Sequence, residues 1–312
     1  MTTPHPHPAP GGREPQPAPA PAAPPGPRQA APGAAAAPPR RTHLGHALAS
    51  EWTKIRTVRS TVWTLGVMFL LVVGIGVPVA LARRTESPDV VTMPLLGGGL
   101  FGLMLGQICV LTLGALVITS EYGTGMIRTT MTSCPARGRV LLAKALVLFL
   151  VAFLTTTAAT SLTALIQHGA LGGMPIRSGD YVGGDVRNPV VEPFTATGGE
   201  WFDATVGAGL YVALLGLLSL AVGAMLRHSA GAITTMLGLV LLPMLVALFM
   251  RGESLRDVSD ALLEYSPLNG LAAMFRMPMQ GGTDPWTLLG LLAAVTGAAL
   301  AGAYAALAAR DV

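Results

Sequence analysis

The chain has 312 residues, 51% of them hydrophobic and 12% charged, with a formal net charge of +4. A soluble domain carries about 25% charged residues, so this composition excludes an ordinary soluble globule. Its two cysteines, Cys109 and Cys134, define no disulfide framework. The charges are clumped, and the stretches between them are long enough to cross a hydrocarbon core about 30 Å thick. Clumping also makes the net charge a poor argument for nucleic acid, and no nucleic-acid partner is expected.

Residues 1–41 hold 14 of the 25 prolines, mixed with Ala, Gly and a few Arg. Such a segment buries too little apolar surface to offset its ordering entropy, and it reads as a disordered cytoplasmic tail. It lacks a continuous apolar h-region and so does not read as a secretory signal. His5 and His7 in this tail read as solvated side chains.

Residues 42–60 follow as an interfacial elbow. Leu44, Leu48, Trp52 and Ile55 fall on one helical face, and Lys54, Arg56 and Arg59 lie off it, towards the headgroups. That pattern suits a helix lying in the membrane plane; the plainer alternative is a basic flank continuing the first span. His43 and His46 have no third ligand nearby.

Residues 61–312 form the membrane domain, with six apolar runs at roughly 61–82, 95–119, 140–166, 205–226, 231–250 and 286–308. The expected fold is therefore an all-α integral membrane protein with six transmembrane helices. With the N-terminus in the cytoplasm, the inside segments hold 13 Lys/Arg and the outside segments 7. This agrees with the positive-inside rule and places both termini in the cytoplasm. Arg83 and Arg84 dissent locally, since they fall outside.

Between the spans, Gly98, Gly102 and Gly106 recur every four residues in the second run, as do Ala298, Gly302 and Ala306 in the sixth. Small residues at that spacing permit close helix approach, either within the chain or at a dimer interface or translocation seam. Gln107 is expected to bond across helices. Residues 167–204 read as a long external connector carrying Asp180, Asp185, Glu192, Glu200 and Asp203. Residues 251–285 read as two short helices broken at Ser266–Pro267, with Leu255, Val258 and Leu262 on one and Leu268, Leu271 and Phe275 on the other.

The connector after the second run, "EYGTGMIRTTMTSCPARGRVLLAKA" (residues 121–145), is too long for a simple return, which needs four or five residues. Gly123 and Gly125 end the helix just after Glu121. Met126, Ile127, Thr130 and Met131 then give a short helix an apolar side. Ser133 can cap the next span, with Pro135 in its first turn.

Glu121, Gly123–Thr124, Pro135, Arg137 or Arg139, and Lys144, together with the lead-in "ASEWTKIRTVRST" (residues 49–61), resemble ABC transporter type-2 permeases, and the actinobacterial members in particular. The resemblance spans roughly residues 44–312. It implies a plasma-membrane exporter subunit with an in-plane elbow at 44–58, a coupling helix at 124–132 and a helical segment at 255–277. The implied coupling residues are Glu121, Gly123, Thr124, Met126, Ile127, Arg128 and Met131. The elbow residues are Leu48, Trp52, Lys54, Ile55, Arg56 and Arg59. The implied partners are a separate ATPase subunit, which would bind ATP and Mg, a second permease copy or chain, and the lipid bilayer. The 167–204 connector is long for a minimal member.

No phosphate loop of the GxxxxGK[ST] type occurs in this sequence, so hydrolysis in that manner would need another chain. Neither HExxH nor an intramembrane catalytic pair is present, and no cofactor of its own is expected. The runs lack the midplane carboxylates usual in ion-coupled carriers. The rival reading is a stand-alone membrane protein, either an ATPase-independent carrier or a sensor or immunity factor.

Overall fold

A computed structural model describes residues 44–85, 93–125, 137–182, 185–250 and 252–309. Six helices are long and apolar enough to cross a membrane: Arg59–Arg84, Gly98–Gly123, Gly138–Leu171, Gly198–Leu226, Ser229–Phe249 and Pro285–Ala309. The fold is that of a multi-pass helical membrane protein. The Pro-rich tail with His5 and His7, His43, and the stretch 126–136 lie outside the described residues.

Helix α1 (Leu44–Thr57) precedes the first span, α2 (Arg59–Arg84). The break falls at Val58, which is extended with φ −78° and ψ 108°. Arg59 therefore opens the first span instead of belonging to the elbow. Helix α3 is Gly98–Gly123, and α4 is Arg137–Leu171. With 35 residues, α4 is about 52 Å long at 1.5 Å per residue, so it outruns a bilayer core.

The segment read from sequence as a plain external connector is built otherwise. Strands β1 (Pro175–Val182) and β2 (Asp185–Pro193) form an antiparallel pair, in register from Pro175↔Pro193 to Val182↔Asp185 with one irregularity near Ser178. The fourth span then begins well before residue 205, with a short helix α5 (Gly198–Phe202), a π-helical turn (Asp203–Gly207) and α6 (Ala208–Leu226). Its start is a capping box: the Thr197 hydroxyl accepts from Glu200 N at 3.3 Å, and Glu200 Oε2 accepts from Thr197 N at 2.7 Å. Helix α7 is Ser229–Phe249, begun by His228, whose Nδ1 accepts from Gly231 N. Beyond it come α8 (Arg256–Glu264), α9 (Pro267–Met274) and α10 (Pro285–Ala309). The break at Ser266–Pro267 is where the sequence puts it: Ser266 Oγ caps α9 by accepting from Asn269 N, and proline takes the first turn.

The core lies around α3, α4 and α6. The fourth span is 67% buried in its most apolar window, whereas the windows of α2, α7 and α10 are 22% buried and turn most of their apolar side outwards. Small residues let the central helices touch. A Cβ on Gly102 would sit 2.7 Å from the backbone of Val72, so α2 and α3 meet at van der Waals contact there. Gly114 meets the backbone carbonyl of Gly216, and Ser219 Oγ donates to Leu111 O, joining α6 to α3. Gly98, Gly102 and Gly106 are all buried within the chain, so this stripe serves internal packing. The sixth-span stripe differs, with Ala298 and Gly302 exposed. Gln107 bonds its own helix, donating to Met104 O at 3.1 Å, and among the described residues it makes no bond to another helix, contrary to expectation.

Two polar ties organise the side opposite α1. Arg83 donates to Met93 O at 2.8 Å and Pro94 O at 3.1 Å, and its guanidinium lies 5.3 Å from the Phe194 ring centre. This basic residue, which ran against the charge bias, thus clamps the turn into α3. Asp203, expected in a solvated connector, is 3% exposed. It accepts from Arg276 Nη2 at 2.6 Å and Trp286 Nε1 at 2.8 Å, fastening the fourth span to the start of α10.

The tight α2–α3 approach yields a direct test. Gly102→Leu should destabilise the protein by about 3 kcal/mol, the upper end for overpacking, because the obstacle is backbone. Gly290→Leu, with nothing within 4 Å of its Cβ position, should leave the thermal midpoint in detergent unchanged.

Candidate functional site

Where α1 meets the end of α3 and the start of α4, four charged side chains close into a ring of alternating sign. Lys54 Nζ lies 2.8 Å from Glu51 Oε1 and 2.8 Å from Glu121 Oε1. Lys144 Nζ lies 2.9 Å from Glu51 Oε2 and 2.7 Å from Glu121 Oε1. Two positive and two negative charges cancel, and each lysine donates to both carboxylates. Glu51 uses both oxygens. Glu121 spends Oε1 on both lysines, and its buried Oε2 has no hydrogen-bond partner among the described residues.

The local sequence explains how the ring assembles. Glu51 and Lys54 are three apart on α1 and so share a face. Glu121 sits in the last turn of α3, and Lys144 lies two turns into α4. Lys144 is 2% exposed, the most enclosed of the four. A bare ammonium at that depth would be costly, and a pair of carboxylates supplies what water would have given it.

Lys54 is the departure from the sequence reading. It was expected to point to the headgroups with Arg56 and Arg59, but it turns inward to Glu121. Arg56 and Arg59 are exposed, as is Trp52, while Leu48 and Ile55 are half-buried. The residue of α1 that is most deeply buried is Glu51, not a member of the apolar stripe. Glu51 is the only acid between residues 44 and 61; a lone carboxylate in a basic amphipathic helix was the available signal for it.

Burial of Lys54 by itself would lower its pKa, but the hydrogen bonds and charges of Glu121 and Glu51 outweigh burial and hold it above the ordinary 10.5. A group whose pKa is raised by folding adds stability below its unfolded pKa and loses it as pH climbs past the folded one. The Lys54 contribution is therefore complete through neutral pH and disappears only above 10.5.

Beside the ring, Arg227 caps α6 in a left-handed conformation, φ 56°, and its guanidinium stacks 5.1 Å from the Tyr122 ring centre. Tyr304 of α10 lies against Gly138 at the start of α4. The end of α3 loosens where expected: Thr124 N and its hydroxyl donate to Ser120 O, and Gly125 takes φ 71°, a value natural to glycine. Gly123, Thr124 and Gly125 therefore lead the chain out of α3 directly beside Glu121. Met126, Ile127, Arg128 and Met131 of the expected coupling helix, with Ser133 and Pro135, lie outside the described residues.

The lysines and carboxylates of the ring occupy one another. The ring holds three segments together through charge. Comparison with protein-family models and with curated proteins returns no match.

Removing Lys144 leaves two carboxylates sharing the one partly solvated lysine, Lys54, with one buried negative charge unbalanced. Lys144→Met should therefore cost about 3–5 kcal/mol, and Lys54→Met about 1 kcal/mol or less, since Lys54 is partly solvated. Thermal unfolding in detergent separates these, and equal losses would contradict the assigned burial. In wild type, the thermal midpoint in detergent should hold its Lys54 contribution from pH 7 to 10 and lose it above pH 10.5. Lys54→Gln should remove that part of the pH dependence.

Proposed function

We propose that this chain is the membrane-spanning permease subunit of an ATP-binding-cassette exporter in the plasma membrane, driven by ATP that a separate ATPase subunit binds with Mg and hydrolyses. The observation that supports this reading most is the charge ring. It joins α1, the end of α3 and the start of α4 beside the point where the chain leaves α3 at Thr124–Gly125. A force applied to that connector would be carried to two spans and the elbow together, which is what a coupling element requires.

The resemblance of residues 121–145 and 49–61 to type-2 permeases supplies the class of motor. The elbow, with exposed Trp52 and Arg56, suits a cytoplasmic headgroup layer, the side on which a soluble ATPase would dock. The outward apolar faces of α2, α7 and α10 suit contact with lipid and with a second permease subunit. In this mechanism ATPase closure pushes the 124–132 segment, and the ring converts the push into a tilt of α3 and α4.

A tagged pull-down from mild-detergent membranes, read by mass spectrometry, should recover a stoichiometric soluble ATPase with a phosphate loop. Its reproducible absence from intact protein would overturn the assignment and favour a stand-alone membrane protein. Replacing residues 124–131 with Gly/Ser should abolish ATP-dependent export from inverted vesicles without affecting membrane insertion. Unchanged export would remove the coupling role.

A further inference from the structure

On the side opposite the charge ring, a cavity of about 660 Å³ opens between α6, α7, α8, α9 and α10. We propose that it binds a compact amphipathic cation, a molecule with a largely apolar body and one positive charge. The volume falls among small-molecule sites, which run roughly 300–1,000 Å³. The walls are apolar over most of their extent, with Leu218, Leu239, Leu292 and Val295 facing the space from three spans. An apolar body has surface to bury on every side but the mouth.

The polar groups are few, and they agree in sign. Among the described lining residues Asp257 is the one charged group, and its carboxylate complements a cation. The Tyr211 and Tyr265 rings also line the space, and aromatic faces attract cations within about 6 Å. Pro243 and Leu239 stand four apart on the α7 wall. Proline deprives the Leu239 carbonyl of its usual helical N–H donor.

The rim is built in advance. Asn269 Nδ2 donates to Glu264 O at 2.9 Å and Gln280 O at 3.0 Å, and its Oδ1 accepts from Met279 N at 2.6 Å and Gln280 N at 3.2 Å. With Ser266 capping α9, these bonds fix the α8–α9 corner that carries Tyr265, Ser266 and Pro267 along the cavity edge. A pre-ordered rim spares the ligand the entropy of closing a loop. The site stands on the cavity and not on the exporter reading, because binding needs no ATPase.

The test uses the full chain in phosphatidylcholine nanodiscs, with rhodamine 6G as the cation, read by fluorescence anisotropy against empty discs. Saturable binding is expected. Asp257→Asn should weaken it about tenfold, or roughly 1.4 kcal/mol, and Val295→Trp, which fills the space, should abolish it. The anionic dye sulforhodamine B should not compete. Asp257 is exposed on α8, so its variant should keep the wild-type thermal midpoint, and a folding defect in Val295→Trp would leave the Asp257 result to decide. Binding no greater than that of empty discs, equal affinity in Asp257→Asn, or equal competition by the anionic dye would overturn the proposal. So would a tightly retained phospholipid, found by mass spectrometry, that rhodamine 6G does not displace.

Discussion

A lysine that is almost wholly enclosed must be given charge to sit beside, and the elbow side of this protein is organised around that need. Lys144 lies on α4, and neither α4 nor its sequence neighbours supply an acid; one carboxylate comes from α3 and the other from α1. Satisfying one ammonium thus draws three separate segments to a point. Lys54 then closes the ring and balances the second negative charge. Buried ion pairs contribute little net stability compared with apolar packing, but breaking one is costly. The ring therefore specifies where the elbow sits more than it strengthens the bundle.

The two sides of the molecule solve different problems with polar groups. On the elbow side, the ring and the Arg227–Tyr122 stack hold helix ends around an exit in the chain. On the other side, Arg83 clamps a turn, Asp203 joins the fourth span to α10, and Asn269 braces the α8–α9 corner. The Asn269 bonds, with the Ser266 cap, fix the rim of an apolar cavity. In the exporter reading, movement enters at the ring and is passed along α3 and α4. The opposite side then has a rigid frame against which the spans tilt. The proposed cation site lies in that frame, bounded by α6, α7 and α10, helices that the ring itself does not hold.

What was legible in the sequence was local. Six apolar runs, the break after Glu121, the amphipathic segment before the first span and the Ser266–Pro267 corner all rest on periodicity, length and turn chemistry within a few residues. The elements that sequence reading misplaced depend on partners far along the chain. Lys54 bonds 67 residues away and Lys144 bonds 93 residues away, and no spacing rule links such positions. Asp203 looked like a connector acid because Arg276 and Trp286 lie more than 70 residues later. Arg83 looked like a flaw in the charge bias because a count of charges passes over backbone acceptors such as Met93 O and Pro94 O. The early start of the fourth span was readable, since Thr197-Gly198-Gly199-Glu200 is a capping-box pattern. A membrane-length window passes over it, because Glu200 and Asp203 interrupt the apolar run.

The central claim is that Glu51 and Lys144 act as parts of one unit joining the elbow to the fourth helix. A double-mutant cycle tests it most directly, with Glu51→Gln, Lys144→Met and the combination compared by equilibrium unfolding in detergent. Each single variant should be destabilised, and the double variant should lose less than the sum by about 1–3 kcal/mol, as for residues in one ionic network. Losses that add to within about 0.5 kcal/mol would mean that the two side chains are energetically independent, contradicting the ring as the joint between elbow and bundle.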